Sequence, residues 1–353
     1  MEIFSLDLGN MQTKIKSSKT EKVLPSRFID YDDLGDQSTS LYGSKADVNK
    51  YEVSFDNLFC YAWGTDLYKV HHRNFIDTIK FEGRYNTNEF RLLASFAIGE
   101  LAKDFEEAKD GLIEVKIVTG VPTNDFNKAS VKSIIDVLKA DHNITINGER
   151  LNIRVNEVLV LPQPVGTVYN EMLDGEGYLK NETLQDEHIT VVDCGGGTLL
   201  IDTLTNMNLS DSGRIQQDFG AFRIYENIVN LCIKEQILGI SSLKVEEILR
   251  NNTNNEDGYY YKPNKNESIN ITKIVEKAKI KYTRELLNII NSTLKGTSTI
   301  DTLLFTGGGA NLIDREQVLN SFKHAIFIDN SEYANANGFY KYGLATNLEE
   351  VGE

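Results

Sequence analysis

The segment that most restricts this chain is "TVVDCGGGTLLID", residues 190–202. A β-branched and apolar run leads into an aspartate, a cysteine, three glycines and a threonine, and a second apolar run follows. Glycine adopts backbone angles closed to other residues, and its missing side chain lets another group approach the main chain. Two buried-strand patterns joined through Gly195, Gly196 and Gly197 therefore predict a β-hairpin. Its turn is either a plain tight turn or one whose amides face an anion. The segment alone leaves both open.

A length of 353 residues exceeds one core and predicts two domains. With 41% hydrophobic and 25% charged residues, the chain has the make-up of a soluble globular protein. No apolar run approaches the roughly 18 residues of a membrane span, and the first residues lack a basic-then-apolar leader, so no membrane attachment is expected. Cys60, Cys194 and Cys232 are odd in number and far apart, which points to a reducing cytoplasm. His71 and His72 are adjacent and poorly placed to share a metal from a helix face, so zinc is not expected. Fifty-two acidic against 37 basic residues give a net charge of -15, which disfavours direct nucleic-acid binding. Any link to DNA would run through a basic partner.

Along the chain, a strand starts almost at residue 1 and turns near Asn10, and "KTEKVLPSRF" adds another. Residues 30–40 read as a polar loop. Phe90, Leu93, Ala94, Ala97, Ile98, Leu101 and Phe105 have helical spacing, with Asn86, Thr87 or Asn88 as the cap. "LIEVKIVTGVP" is a strand ending at Gly120 and Pro122, followed by a helix over 129–138, further strands in "LNIRVNEVLVLPQPVG" (151–166) and a helix over 164–173. After the glycine hairpin comes an amphipathic helix whose apolar side carries Phe222, Ile224, Ile228, Val229, Leu231 and Ile233. Residues 251–270 are the least structured by composition, their three tyrosines serving as loop anchors or partner contacts. A helix over 271–294, a strand into Gly307, Gly308 and Gly309, and a frayed tail "LEEVGE" complete the chain. Strands alternating with helices predict an α/β protein.

Asp7-Leu8-Gly9-Asn10 and Asp193-Cys194-Gly195-Gly196 are both acid-x-Gly-small turns at the ends of apolar strands, an echo that predicts two related halves facing each other. Neither glycine triplet fits G-x-x-x-x-G-K-[ST] or G-x-G-x-x-G, so the common nucleotide folds lose weight. Two opposed hairpins with an aspartate at each entrance suit a polyphosphate. Turn amides and small hydroxyls donate to phosphates. Two carboxylates hold a hydrated Mg²⁺, Lys14 adds a point charge, and strand ends are where α/β ligands sit. Gly307, Gly308 and Gly309 would let a flat base lie on bare backbone.

Five segments occur in one order: "LDLGNMQTK", "VLVLPQPVGTVYN", "VVDCGGGTLLID", "LLFTGGGANLI" and "ANANGFYKYG". They resemble the two phosphate hairpins, two connectors and adenosine loop of the actin, Hsp70 and sugar-kinase ATPase superfamily. The resemblance implies an actin-like ATPase fold, with two related lobes of RNase H-like α/β cores around a nucleotide cleft, each carrying a smaller subdomain. Residues 1–165 with 332–353 would form one domain and 166–331 the other. "NANGFYKYG" and the compact length look most like the ParM-like, plasmid-segregating bacterial actins. There is no room for the extra substrate domain of an Hsp70, and no sugar-kinase base stands out.

By this resemblance, Asp7 and Asp193 organise Mg²⁺ through water. Gly9, Asn10, Thr13 and Lys14 match the first hairpin, although Met11 stands where relatives carry a small or polar residue. Gly195, Gly196, Gly197 and Thr198 match the second. Gln163 either orients the attacking water in line with the γ-phosphate or serves as a strand-end hydrogen bonder between two prolines. Gly220 and Lys277 approach the ribose and base, or Lys277 is a solvated helix lysine. The implied activity is slow hydrolysis of ATP (or GTP) by a cytoplasmic head-to-tail filament, whose ends are held by a basic DNA-binding adaptor on a centromere-like plasmid site. The alternative is a monomeric sugar-type kinase of the same superfamily.

Overall fold

Two strands of this chain, Glu2–Leu8 and His188–Cys194, are buried over all but their first residue. A strand covered on both faces lies inside a sheet with other elements packed above and below, and each of the two lies inside the sheet of one unit. The computed structural model describes residues 1–34, 46–67, 74–78, 83–252, 258–294 and 299–352. The chain divides into Met1–Glu182 with Tyr333–Glu353, and Thr183–Glu332. Among the described residues no helix is long and apolar enough to cross a membrane.

The first unit holds β1 (Glu2–Leu8), β2 (Gln12–Lys16), β3 (Glu21–Pro25), β4 (Arg27–Asp30), β5 (Asn49–Val53), β6 (Asp56–Trp63), β7 (Ile76–Asp77), β8 (Ile113–Val121), β9 (Asp141–Ile146) and β10 (Glu149–Pro162). They form one sheet in the order β3-β2-β1-β8-β10-β9-β5-β6-β4-β7. Side chains alternate across a strand. Phe4, Leu6 and Leu8 therefore enter the main core with Leu93 and Phe96 of the helix Asn88–Ala102, whereas Ile3 and Val118 meet Phe339 of the helix Ala334–Gly352. Thr87 caps the helix Asn88–Ala102 by accepting from the Phe90 amide.

The second unit holds β11 (His188–Cys194), β12 (Leu199–Thr205), β13 (Asn208–Leu209), β14 (Ile215–Gln217), β15 (Tyr260–Asn264), β16 (Glu267–Asn270), β17 (Thr302–Thr306) and β18 (Ala325–Phe327). Its sheet runs β13-β12-β11-β17-β18, with β14 also on β12. The sequence echo is a topological one. In the first unit β1 pairs antiparallel with β2 and parallel with β8, which pairs parallel with β10. In the second, β11 pairs antiparallel with β12 and parallel with β17, which pairs parallel with β18.

Four readings need correction. The unit boundary falls at 182/183 rather than 165/166, because the helix Gln163–Met172 packs on the C-terminal helix, where Thr167 donates to Asn335 and Lys341 to the Asn170 carbonyl. Within 251–270, β15 and β16 pair as a hairpin, with Tyr259 and Tyr261 buried and Tyr260 exposed. The helix Ala334–Gly352 continues through most of the expected frayed tail. The helix Phe222–Lys234 buries Ile224, Tyr225, Ile228 and Cys232, leaving Phe222 and Ile233 exposed, because its inward stripe follows a 3.6-residue period that those two positions miss. His71, His72 and residues 35–40 of the polar loop lie outside the described residues.

Glu100 ties the first unit together from inside. It is 1% exposed and accepts from the Tyr51 hydroxyl at 2.5 Å, Lys22 at 2.7 Å and Lys103 at 2.6 Å. Burial, aided by the Glu100 charge, pushes the Tyr51 phenol well up. Glu100→Ala strands a buried hydroxyl and is expected to cost about 2–3 kcal/mol in urea unfolding. A variant as stable as the parent would remove this network from the account.

Candidate functional site

The glycine turn sits at the carboxyl end of β11. Its ladder closes with Cys194 opposite Leu199, and the Gly195 amide donates to the Thr198 carbonyl at 2.9 Å. The amides that open a helix have no intrahelical acceptor. At the start of the helix Phe222–Lys234 they find one in the turn: the amides of Gly220, Ala221 and Phe222 donate to the carbonyls of Gly197, Gly195 and Gly196 at 3.1, 2.9 and 2.9 Å. A trans peptide points its carbonyl and the next residue's amide in opposite directions, and no described peptide bond is cis. With three successive carbonyls turned to the helix, the amides of Gly196, Gly197 and Thr198 point away from it. Three such N–H groups form an anion-binding concavity.

The first unit repeats the arrangement with different parts. Leu8 lies opposite Thr13, as Cys194 lies opposite Leu199, and each turn has an aspartate two residues before its first glycine. Here a guanidinium replaces the helix start. Arg84 Nη1 donates to the Leu8 carbonyl at 2.7 Å and Nη2 to the Gly9 carbonyl at 2.9 Å, while Nε holds the Thr78 carbonyl at 3.0 Å. Ser26 donates its hydroxyl to the Gly9 carbonyl at 2.7 Å and its amide to the Met11 carbonyl at 3.0 Å. By the same peptide geometry, the amides of Gly9, Asn10 and Gln12 point away from this support. Lys14 lies 3.3 Å from Asp7, a residue only 2% exposed.

Gln163 opens the helix Gln163–Met172 directly after β10. Leu6 pairs with Thr119 and Thr119 with Val160, so Gln163 is level with Gly9 two strands away. That separation is about 10 Å across the sheet. Asp7, Gly9, Lys14 and Gln163 thus share one edge, beyond the carboxyl ends of parallel strands, where ligands of such sheets bind.

Other residues take different places. Thr13 is fully buried and its hydroxyl meets that of Ser26 at 2.9 Å, inside the support of the turn. Gly220 serves close packing, since a Cβ there would lie 2.5 Å from the Gly196 carbonyl oxygen. Gly307 has φ of 82°, and a side chain on it would collide with Asp193 and the Cys194 carbonyl, so the second triplet is pressed against the end of β11. Gly309 packs on Cys194 as well, and Gly308 faces Glu332, which Arg250 grips through both carboxylate oxygens. Lys277 is exposed on the helix Thr272–Leu294. Asp193 is 5% exposed, and burial raises the adjoining Cys194 thiol. Arg84 and Ser26 belong to no motif. Their contacts join positions 75 and 17 residues apart along the chain, which leaves no local pattern to read.

Residues 5–166 match the family described as actin like proteins, N terminal domain, and residues 188–336 match the Alp7A C-terminal domain. Solved structures share the fold. The apo ParM of psk41 is 23% identical with a TM-score of 0.77, over 100% of this chain and 99% of that one. The Bacillus thuringiensis ParM with ATP is 16% identical with a TM-score of 0.72, over 100% of both. The Alp12 filament structure is 18% identical with a TM-score of 0.67, over 98% of this chain and 99% of that one. No curated protein matches the sequence.

Because Gly220 abuts backbone rather than a flexible side chain, Gly220→Ala must displace the turn. Expected are a stability loss of about 1–3 kcal/mol and shifted amide resonances for Gly196, Gly197 and Thr198. Unchanged resonances at those three positions would contradict the packing described.

Proposed function

The chain belongs to the actin-like protein family, and from that premise we propose that it is a cytoplasmic, nucleotide-dependent polymerising ATPase that moves plasmid DNA through a DNA-binding adaptor. The observation that carries this reading is the pair of topologically equivalent turns, each with its carbonyls held from behind, its amides turned outward and an aspartate two residues ahead. A triphosphate has enough anionic oxygens to engage both sets of amides at once.

The residues divide the work as follows. Amides of Gly9, Asn10, Gly196, Gly197 and Thr198 bind phosphate oxygens, and Lys14 adds positive charge beside them. The donor chemistry of Asp7 and Asp193, two hard carboxylates at strand ends, fits a hydrated Mg²⁺, which when bound neutralises phosphate charge. Gln163, level with the first turn, cannot take a proton at neutral pH. Its amide instead orients the attacking water. Positioning without a strong base gives slow turnover, which suits a filament that must persist before it disassembles. Gly307, Gly308 and Gly309, fixed against β11 and Glu332, support the nucleoside.

Assembly is head to tail, a heterologous contact that yields an open helical polymer when its rotation does not close. ATP gripped by both turns favours the polymerising form, and loss of the γ-phosphate weakens it. Among the similar solved structures, the Bacillus thuringiensis ParM holds ATP and Alp12 is a filament. With a net charge of -15, the chain fits a basic adaptor as its bridge to DNA.

Mg-ATP is expected to raise light scattering and to drive the protein into an ultracentrifuge pellet. A persistent monomer that phosphorylates a sugar would replace this reading with a small-molecule kinase. Asp193→Ala is expected to weaken Mg-nucleotide binding and abolish turnover. Gln163→Ala is expected to retain filaments and slow phosphate release by about 10–1,000-fold, whereas lost assembly with normal hydrolysis would contradict its assignment.

A further inference from the structure

We infer that Arg84 is the positioning residue of the first phosphate turn, doing with one guanidinium what the start of the helix Phe222–Lys234 does for the second. The inference rests on the proposed nucleotide binding. Arg84 is 8% exposed. Its acceptors among the described residues are the carbonyls of Leu8, Gly9 and Thr78 and, less closely, the hydroxyls of Thr78 and Tyr85. None is a carboxylate. A buried guanidinium ordinarily takes a carboxylate partner, because its charge is costly to desolvate. Burial does pull this group below its usual range, while Tyr85 and the carboxylates of Asp7 and Asp125 pull the other way.

The guanidinium fork is planar and rigid, so two parallel N–H groups hold two successive carbonyls at a fixed angle. Those carbonyls belong to Leu8 and Gly9, and the amides opposed to them are Gly9 and Asn10. Fixing one set of groups therefore aims the other. The positive charge of Arg84 behind the turn also adds to the attraction for an anion in front of it. Helix macrodipoles supply a partial charge of the same sign at a helix start, so the two turns agree in electrostatics as well as in geometry. Ser26 and Thr13 complete the support but carry no charge.

Lysine cannot reproduce this hold, since an ammonium is a point donor without a fork. The test compares wild type, Arg84→Lys and Arg84→Met, each checked for folding by circular dichroism, in steady-state ATPase assays and in calorimetric titration with a nonhydrolysable ATP analogue. Arg84→Met is expected to raise KM and Kd about 10–100-fold, the loss of one or two charged hydrogen bonds, with kcat at saturation kept within about threefold. Arg84→Lys should fall between. Partial unfolding alone behaves differently, lowering kcat per chain and leaving KM unchanged, and that result would overturn the inference, as would wild-type affinity in Arg84→Met. Should Arg84→Met fail to fold, Arg84→Lys decides by the same KM-against-kcat split. A wild type that neither binds nor hydrolyses ATP would overturn the nucleotide reading itself, and this inference with it.

Discussion

A trans peptide cannot aim its carbonyl and its amide at the same side, and the chemistry available to this protein follows from how that constraint is used twice. A turn of four residues leaves several backbone groups outside the strand ladder. If its carbonyls are captured on one side, its amides become donors on the other, already oriented and with little reorganisation left to make. In the second unit the captors are the opening amides of a helix, which lack acceptors of their own. In the first they are the two arms of Arg84 and the hydroxyl of Ser26.

The sheets place these turns. An antiparallel hairpin joined to a parallel neighbour ends both partners at the same edge, so the turn between β1 and β2 stands beside the end of β8 and one strand from the end of β10. That is why Gln163, 154 residues after Gly9 in sequence, comes level with it. Likewise Asp193 pairs with Thr306, which brings Gly307 beside Cys194 and requires a residue there without a side chain. Glycine at 220 and 307 permits close approach of backbone to backbone.

Much of this was legible in the sequence, for definite physical reasons. The two buried strands announce themselves by runs that are mostly apolar or β-branched, and the Asp-x-Gly spacing at the end of each marks the equivalent turns. The helix Thr272–Leu294 carries its 3.6-residue period openly, burying Val275, Ala278, Tyr282, Leu286 and Ile290. What escaped depends on contacts between distant segments. Nothing local to "FEGRYN" says that Arg84 will reach Gly9, and nothing in "LPSRF" separates Ser26 from a surface serine. Thr13 sits inside a phosphate motif yet turns inward, because β2 alternates and its odd positions face the core. The tyrosine-rich stretch misleads by composition: polar residues around Tyr259 and Tyr261 hide the fact that both rings are buried against the helical core of the second unit.

The proposed function requires that the outward amides of each turn bind nucleotide. The most direct measurement follows their backbone amide resonances during titration with Mg²⁺ and a nonhydrolysable ATP analogue. The account predicts that Gly9, Asn10, Gly196, Gly197 and Thr198 shift together and saturate at one ligand concentration. Saturable binding that leaves either turn's amides unmoved would contradict it.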